Sequence, residues 1–173
     1  GIKAGEIDRM KRKSLMKKTY VAAGIAVARG RVVRTPAAAR RLVAEVGYPV
    51  VAKPDVGVGA ARTFKISSQV ELDAFFAAKP AVDYIMEEFV AGQIVSFDGL
   101  ADRDGELAFS TAHCYSHGVM ETVNDDGLIH YWSLREVPAD LEAAGRAVAR
   151  AFGVRERFFH FEFFRTPDGG LVA

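Results

Sequence analysis

Lys53 closes the apolar run Tyr48-Pro49-Val50-Val51-Ala52-Lys53 and is followed at once by Pro54-Asp55-Val56-Gly57-Val58-Gly59-Ala60-Ala61. A lysine at the end of a buried-type strand is costly unless an anion meets it. Gly57 and Gly59 let the backbone come close to a bulky anion, and their N–H groups can point at phosphate oxygens. The lysine precedes the glycines, so this is not a Walker phosphate loop, in which it follows them. The third glycine and the helix of a dinucleotide fingerprint are also missing. From these residues alone an ordinary β-hairpin with a mobile tip remains an alternative reading. Two further groups carry chemistry: the adjacent carboxylates of Met86-Glu87-Glu88-Phe89-Val90-Ala91-Gly92, and Glu162 set between Phe161 and Phe163.

The elements that must position these groups follow from periodicity. Met10, Leu15, Met16, Tyr20 and Val21 recur at roughly helical spacing, which predicts an amphipathic helix over Asp8 to Ala23 with a basic face and Gly24 as its stop. Val27 to Val33 suits a strand. Thr35 caps a helix with Pro36 at its first position and Gly47 beyond its end. Strands are expected at Tyr48 to Lys53, around Thr63 to Ile66, and at Tyr84 to Val90. A helix over Ser68 to Ala78 turns Leu72, Phe75 and Phe76 inward. Ile94 to Asp102 and Leu107 to Tyr115 flank Arg103-Asp104-Gly105, a hairpin signal, and Val119 to Val123 and Leu128 to Leu134 flank Asn124-Asp125-Asp126-Gly127, a second one. Pro138 to Phe152 is helical. Phe158 to Arg165 and Leu171 to Ala173 form a last hairpin, and the cluster Phe158, Phe159, Phe161, Phe163 and Phe164 is read as core. The layout is α+β with largely antiparallel sheets in two lobes, hinged near Glu87 to Gly92.

Composition sets the outer limits. The 173 residues are 50% hydrophobic and 26% charged, the balance of a globular protein with a sizeable core. Twenty-three basic against 22 acidic residues leave +1, so no global field argues for nucleic acid or an anionic membrane. No apolar run approaches the roughly 18 residues that span a bilayer. Cys114 is the only cysteine, which excludes an internal disulfide and a cysteine-based zinc cluster. A reduced, cytoplasmic setting is expected.

Taken in order and spacing, Lys53 with its glycine loop, the Glu87 segment and Phe161-Glu162-Phe163 before a hairpin resemble the ATP-grasp superfamily. This is the group of biotin carboxylase, carbamoyl-phosphate synthetase, D-alanine–D-alanine ligase and related carboxylate–amine ligases, and the resemblance covers nearly the whole chain. It implies a nucleotide clamped between two α+β lobes, with ATP and Mg2+ as cofactors. Lys53 matches the strand lysine on the α-phosphate side, and Lys13 a helix lysine that also reaches the phosphates. Gly57 and Gly59 match a lid over the β- and γ-phosphates, and the segment from Asp55 to Arg62 is expected to be poorly ordered without nucleotide, because two glycines and few large apolar side chains leave it little to pack against. Glu87, Glu88, Phe89 and Val90 match the interlobe segment that reads adenine through the Glu88 carbonyl and the Val90 N–H, with Phe89 as a wall. Glu162 matches the first magnesium ligand, since a hard cation bridging phosphates needs carboxylates.

The chain departs from this pattern in places. Ile94 stands where many members place a ribose-binding Glu; either Gln93 beside it takes over more weakly, or ribose binding comes from elsewhere. Ala60 stands for a Ser, and Arg62 for a Gly, where it adds a phosphate contact or stiffens the loop. The second metal motif, Glu-x-Asn, falls just past Ala173, and the usual N-terminal α/β domain is absent. The chain is therefore expected to be part of a larger enzyme and not to ligate alone. Its expected division is an N-terminal helix and linker over 1–26, a small lid subdomain over 27–86 and a larger subdomain over 87–173.

The remaining candidates are weaker. His113 and His117, four apart on a strand, would share a face, but a metal pair lacks a third ligand; they are read as hydrogen-bonded or substrate-facing. His160 is read as lying off the face that carries Glu162. Asp98 resembles a frequent family residue with a structural or a functional role. Ser116 has no spacing that suggests a nucleophile. The leading expectation is a ligase that joins a small-molecule carboxylate to an amine through an acyl phosphate. The runners-up are a regulatory nucleotide clamp without turnover and a carboxylase or carbamoyl-phosphate synthetase component. Nucleic acid and membrane are not expected as partners, and a homodimer stays open.

Overall fold

The computed structural model describes residues 4–57, 62–116, 128 and 130–173, with only the backbone at 4 and 5. Two antiparallel sheets form the frame. The first has the order β1-β4-β2-β3, from β1 (Gly30–Val33), β2 (Val50–Pro54), β3 (Phe64–Ile66) and β4 (Tyr84–Glu88). The second has the order β7-β6-β5-β8-β9, from β5 (Gln93–Ala101), β6 (Leu107–Tyr115), β7 (Tyr131–Ser133), β8 (Arg157–Arg165) and β9 (Leu171–Val172). The α+β expectation holds.

In the first sheet one face carries Val50, Ala52, Ile66 and Met86 into a core with α3 (Pro36–Val46) and α4 (Gln69–Ala78). The local signals for both helices work as expected. The Thr35 hydroxyl accepts from Ala38 N–H at 3.2 Å with Pro36 in the first turn, and Ser68 caps α4 from Glu71 N–H in the same way. Period-two alternation therefore leaves Val51, Lys53 and Glu87 on the opposite face.

In the second sheet Val95, Phe97, Phe159 and Phe163 face Leu141, Val148 and Phe152 of α5 (Ala139–Phe152). Contact is close enough that Gly145 has no room for a Cβ beside the Phe97 ring. The phenylalanine cluster is only partly core: Phe159 and Phe163 are buried, but Phe158 is 80% exposed, because alternate residues of β8 face opposite ways.

The expected N-terminal helix is two helices, α1 (Ala4–Lys11) and α2 (Lys13–Ala22), broken at Arg12, whose backbone is extended and bridges to Val56. α2 serves both lobes. Met16 and Tyr20 pack on the second core, with the Tyr20 ring 5.2 Å edge-on from Phe152, while Lys17 reaches Glu87 of the first sheet and Lys13 the loop that follows β2. Positions i and i+4 share a helix face, so each pair acts as one stripe. Leu128 is exposed. Of the second expected hairpin, the strand 119–123 and its turn 124–127 lie outside the described residues. No described helix is long and apolar enough to cross a membrane.

Candidate functional site

The anion that meets Lys53 is Glu87. In the β2–β4 register Val51 opposes Glu87 and Lys53 opposes Ile85, which makes Lys53 and Glu87 a diagonal pair on one face. Lys53 Nζ lies 2.6 Å from Glu87 Oε2, and Lys17 Nζ, from α2, lies 2.7 Å from Oε1. Lys17 also donates to the Ala28 carbonyl. The Glu87 side chain fits because Gly30 stands opposite; a Cβ there would come within 2.6 Å of Glu87 Cγ. Burial pushes the Glu87 carboxyl up, but the charges of Lys53 and Lys17 outweigh it and hold the group below its ordinary value.

Lys13 belongs to the same electrostatic neighbourhood. Burial, and then the charge of Lys53, lower its pKa, against the opposite pull of Asp55 and Glu87. Its Nζ donates to the Gly57 carbonyl at 3.1 Å. Three ammonium groups, Lys13, Lys17 and Lys53, thus stand against two carboxylates, Glu87 and Asp55, and the excess positive charge lies beside the glycine loop. That arrangement suits a polyphosphate.

Residues 58–61 of the expected lid lie outside the described residues, and its first residues are anchored. Asp55 is 2% exposed and Val56 bridges to Arg12. Gly59 lies outside the described residues. Arg62, expected where Gly is usual, is exposed and holds a φ of 60°, a conformation that favours glycine.

Along the interlobe segment the side chains are committed elsewhere. The Glu88 carboxylate grips Arg29, accepting from its N–H and Nε at 2.7 Å each, and Glu88 N–H donates to the Arg29 carbonyl at 2.9 Å. Phe89 N–H donates to the Pro49 carbonyl at 3.2 Å, and Lys65 Nζ sits 4.0 Å over the Phe89 ring centroid. Val90 is half-buried. Gln93 is exposed at the start of β5, and Ile94 beside it is buried.

Glu162 belongs to a second cluster, on the face of the second sheet turned away from α5. Register sets Ser96 opposite both His113 and Glu162, and Asp98 opposite His160. Asp98 accepts from Ser96 Oγ at 2.5 Å and lies 3.0 Å from His113 Nδ1 and 2.5 Å from His160 Nδ1. The other His160 nitrogen is 3.3 Å from Glu162 Oε1. His160 therefore shares the Glu162 face, which corrects the sequence reading: residues two apart on a regular strand point the same way. The hydrogen bonds to Asp98 and then Glu162 raise the His160 pKa to about 10, so the ring is a cation at neutral pH. His113 meets the Tyr131 ring edge-on at 5.9 Å, and His117 lies outside the described residues.

Among the described residues no three His, Cys, Asp or Glu side chains gather as a metal cage. Glu162, with about half its side chain exposed, can offer one carboxylate to a cation whose other ligands come from phosphate oxygens and water, the usual manner of Mg2+.

The structure thus brings Lys13, Lys53, Glu87 and Gly57 together and sets Glu162 in a separate polar cluster on the other sheet. Two groups escape sequence reasoning. Lys17 reads as one more cation of a solvated face, although its i+4 spacing from Lys13 marks the shared stripe. Asp55 reads as a loop residue.

No family model matches the chain. Over 113 residues it is 34% identical to the carbamoyl phosphate synthase large chain of Deinococcus radiodurans, an alignment covering 61% of this chain and 10% of that protein. Carboxyaminoimidazole ribonucleotide synthase of Aspergillus clavatus, complexed with ATP, superposes with a TM-score of 0.79 at 18% identity, over 97% of this chain and 44% of that one. The ATP-grasp ligase PsnB, complexed with a precursor peptide and AMPPNP, gives a TM-score of 0.71 at 20% identity, over 98% of this chain and 49% of that one. The chain spans about a tenth of the curated relatives it matches and about half of these solved structures. Its fold is that of the ATP-grasp ligases.

Proposed function

We propose that the chain is the nucleotide-binding part of an ATP-dependent ligase. The observation that supports this reading most is the Lys13–Lys53–Glu87 arrangement beside Gly57, which holds more positive than negative charge at a built, half-buried place. ATP would set its phosphates against Lys13 and Lys53, with the base against the segment from Glu88 to Val90. Glu162 would hold Mg2+ on the phosphates, where the ion offsets charge on the transferring phosphoryl group. The acceptor is a small-molecule carboxylate whose oxygen takes the γ-phosphoryl group of ATP as ADP leaves; an amine then attacks the acyl carbon, inorganic phosphate leaves and the amine gives up a proton, so that an amide forms. The protein acts by placing these groups and neutralising charge. A cytoplasmic location goes with this reading.

A second reading, a nucleotide-binding clamp without turnover, draws on buried Ile94 in place of a ribose-binding carboxylate. Phosphate release by the whole natural protein that carries this chain, over a broad panel of small carboxylates and amines, separates the two. Carboxylate-dependent release supports the ligase. ATP binding without release under any pair supports the clamp, and failure to bind ATP with Mg2+ refutes both.

A further inference from the structure

Asp55 is a buried carboxylate that the nucleotide-binding reading leaves without a task. It follows β2 directly, two residues beyond Lys53, and three groups at the start of α2 converge on its side chain. Ser14 N–H donates to Oδ1 at 2.7 Å, Ser14 Oγ donates to Oδ2 at 3.0 Å, and Arg12 Nη1 lies 3.3 Å from Oδ2. The backbone adds to this: Lys13 N–H donates to the Asp55 carbonyl at 2.8 Å, and Asp55 N–H donates to the Asp83 carbonyl at 2.9 Å.

The physical need is clear from the helix itself. The first N–H groups of any α-helix lack intrahelical acceptors, and the residue before the helix normally supplies one from its side chain. For α2 that residue is Arg12, which has no acceptor and makes no such bond. Asp55 does the capping from 41 residues away, taking the Ser14 N–H on its carboxylate and the Lys13 N–H on its carbonyl. A carboxylate at this end also meets the positive pole of the helix dipole. The capped residue next to Ser14 is Lys13, the cation that reaches Gly57.

We propose that Asp55 is a positioning residue for polyphosphate: by capping α2 from the loop, it locks Lys13 in register with Gly57 and Lys53. The role rests on the nucleotide reading above. It makes the cradle one rigid unit, in which the loop start and the lysine helix cannot move apart. An acid that merely stabilised the fold would affect all nucleotides alike. An acid that places Lys13 matters for the outer phosphates and little for a monophosphate, which Lys53 serves.

The test is calorimetric titration of AMPPNP with Mg2+ and of AMP into the wild type and Asp55→Asn, which keeps the volume but replaces one acceptor oxygen by a donor. The expected result is at least fivefold weaker AMPPNP binding with AMP affinity within twofold. Ser14→Ala, which removes one donor and introduces the best helix former, serves if Asp55→Asn does not fold. It should weaken AMPPNP two- to threefold and leave AMP unchanged. Equal loss for both nucleotides, or loss for neither, overturns the positioning role while the nucleotide reading stands. A wild type that binds neither nucleotide overturns that reading itself.

Discussion

The Glu87 carboxylate and the Lys53 ammonium meet at 2.6 Å across the diagonal of β2 and β4, and the other Glu87 oxygen is held by Lys17. One buried acid therefore gives two cations a partner, and the pair is desolvated on one side only, since a third of the Lys53 side chain stays exposed. Lys53 is pre-positioned without being spent. Among the described residues Glu87 is the acceptor it meets, which leaves two N–H donors for an incoming phosphate, and its stem is fixed by the strand.

Lys53→Ala is expected to weaken binding of ATP with Mg2+ at least tenfold. A lost charged hydrogen bond is worth about 1.5–3 kcal/mol, and about 1.4 kcal/mol is a factor of ten. Glu87 keeps Lys17 in this variant, so the fold survives. Calorimetry giving equal affinity for the two proteins removes Lys53 from the site.

Glu87→Gln should cost about 3 kcal/mol at neutral pH, because it leaves Lys17 and Lys53 without a counter-charge in a largely buried place. The pH dependence has a definite sign. The Glu87 carboxyl sits below its ordinary value of 4.5, so the native state binds fewer protons than the unfolded state. The stability it gives is complete above about that value and is lost as pH falls through the depressed one. Urea midpoints of wild type and variant should therefore converge on acidification. A constant gap down to pH 3 shows that the lysines do not depend on the charge.

Sequence signals reached some of this and not the rest, for physical reasons. Thr35-Pro36 and Gly47 specify α3 locally, through a cap, a fixed φ and a left-handed stop, so the helix was legible residue by residue. The role of Lys53 was legible as a cost: a strand-end lysine needs an anion. Which anion was not, because Glu87 lies 34 residues away and meets Lys53 only through the β2–β4 register. The break at Arg12 was hidden for a related reason. The run from Asp8 to Ala23 is helical by periodicity, and only the distant Asp55 supplies the acceptors that start a second helix. His160 and Glu162 stand two apart on β8 and so share a face, and the strand register sets Asp98 opposite His160.

Gly30→Ala should destabilise the protein by about 1–3 kcal/mol, the range for overpacking a close contact. An added Cβ would press on the Met86 carbonyl and on Glu87 Cα, and the backbone of β4 cannot swing aside as a side chain can. The gain in β-propensity is smaller than this. Thermal unfolding reads the change, and an unaltered midpoint shows that β1 and β4 have slack.

Gly57→Ala separates a phosphate cradle from a plain turn. Among the described residues the nearest atom to an added Cβ is Pro54 Cβ at 3.8 Å, an ordinary contact, and Gly57 has none of the positive φ that would strain alanine. The folded state loses nothing, while the unfolded chain becomes less flexible, so stability should hold or rise by about 0.4–1 kcal/mol. Nucleotide binding should respond in the opposite sense. If phosphate oxygens approach this stretch of backbone, a methyl group at Gly57 crowds them and obstructs access to the N–H groups, and the affinity for ATP with Mg2+ falls at least threefold. The two measurements, urea unfolding and calorimetric titration, are made on the same preparation. Unchanged stability with weakened binding identifies Gly57 as part of the cradle, whereas unchanged values in both place the phosphates away from it and return the loop to an ordinary turn.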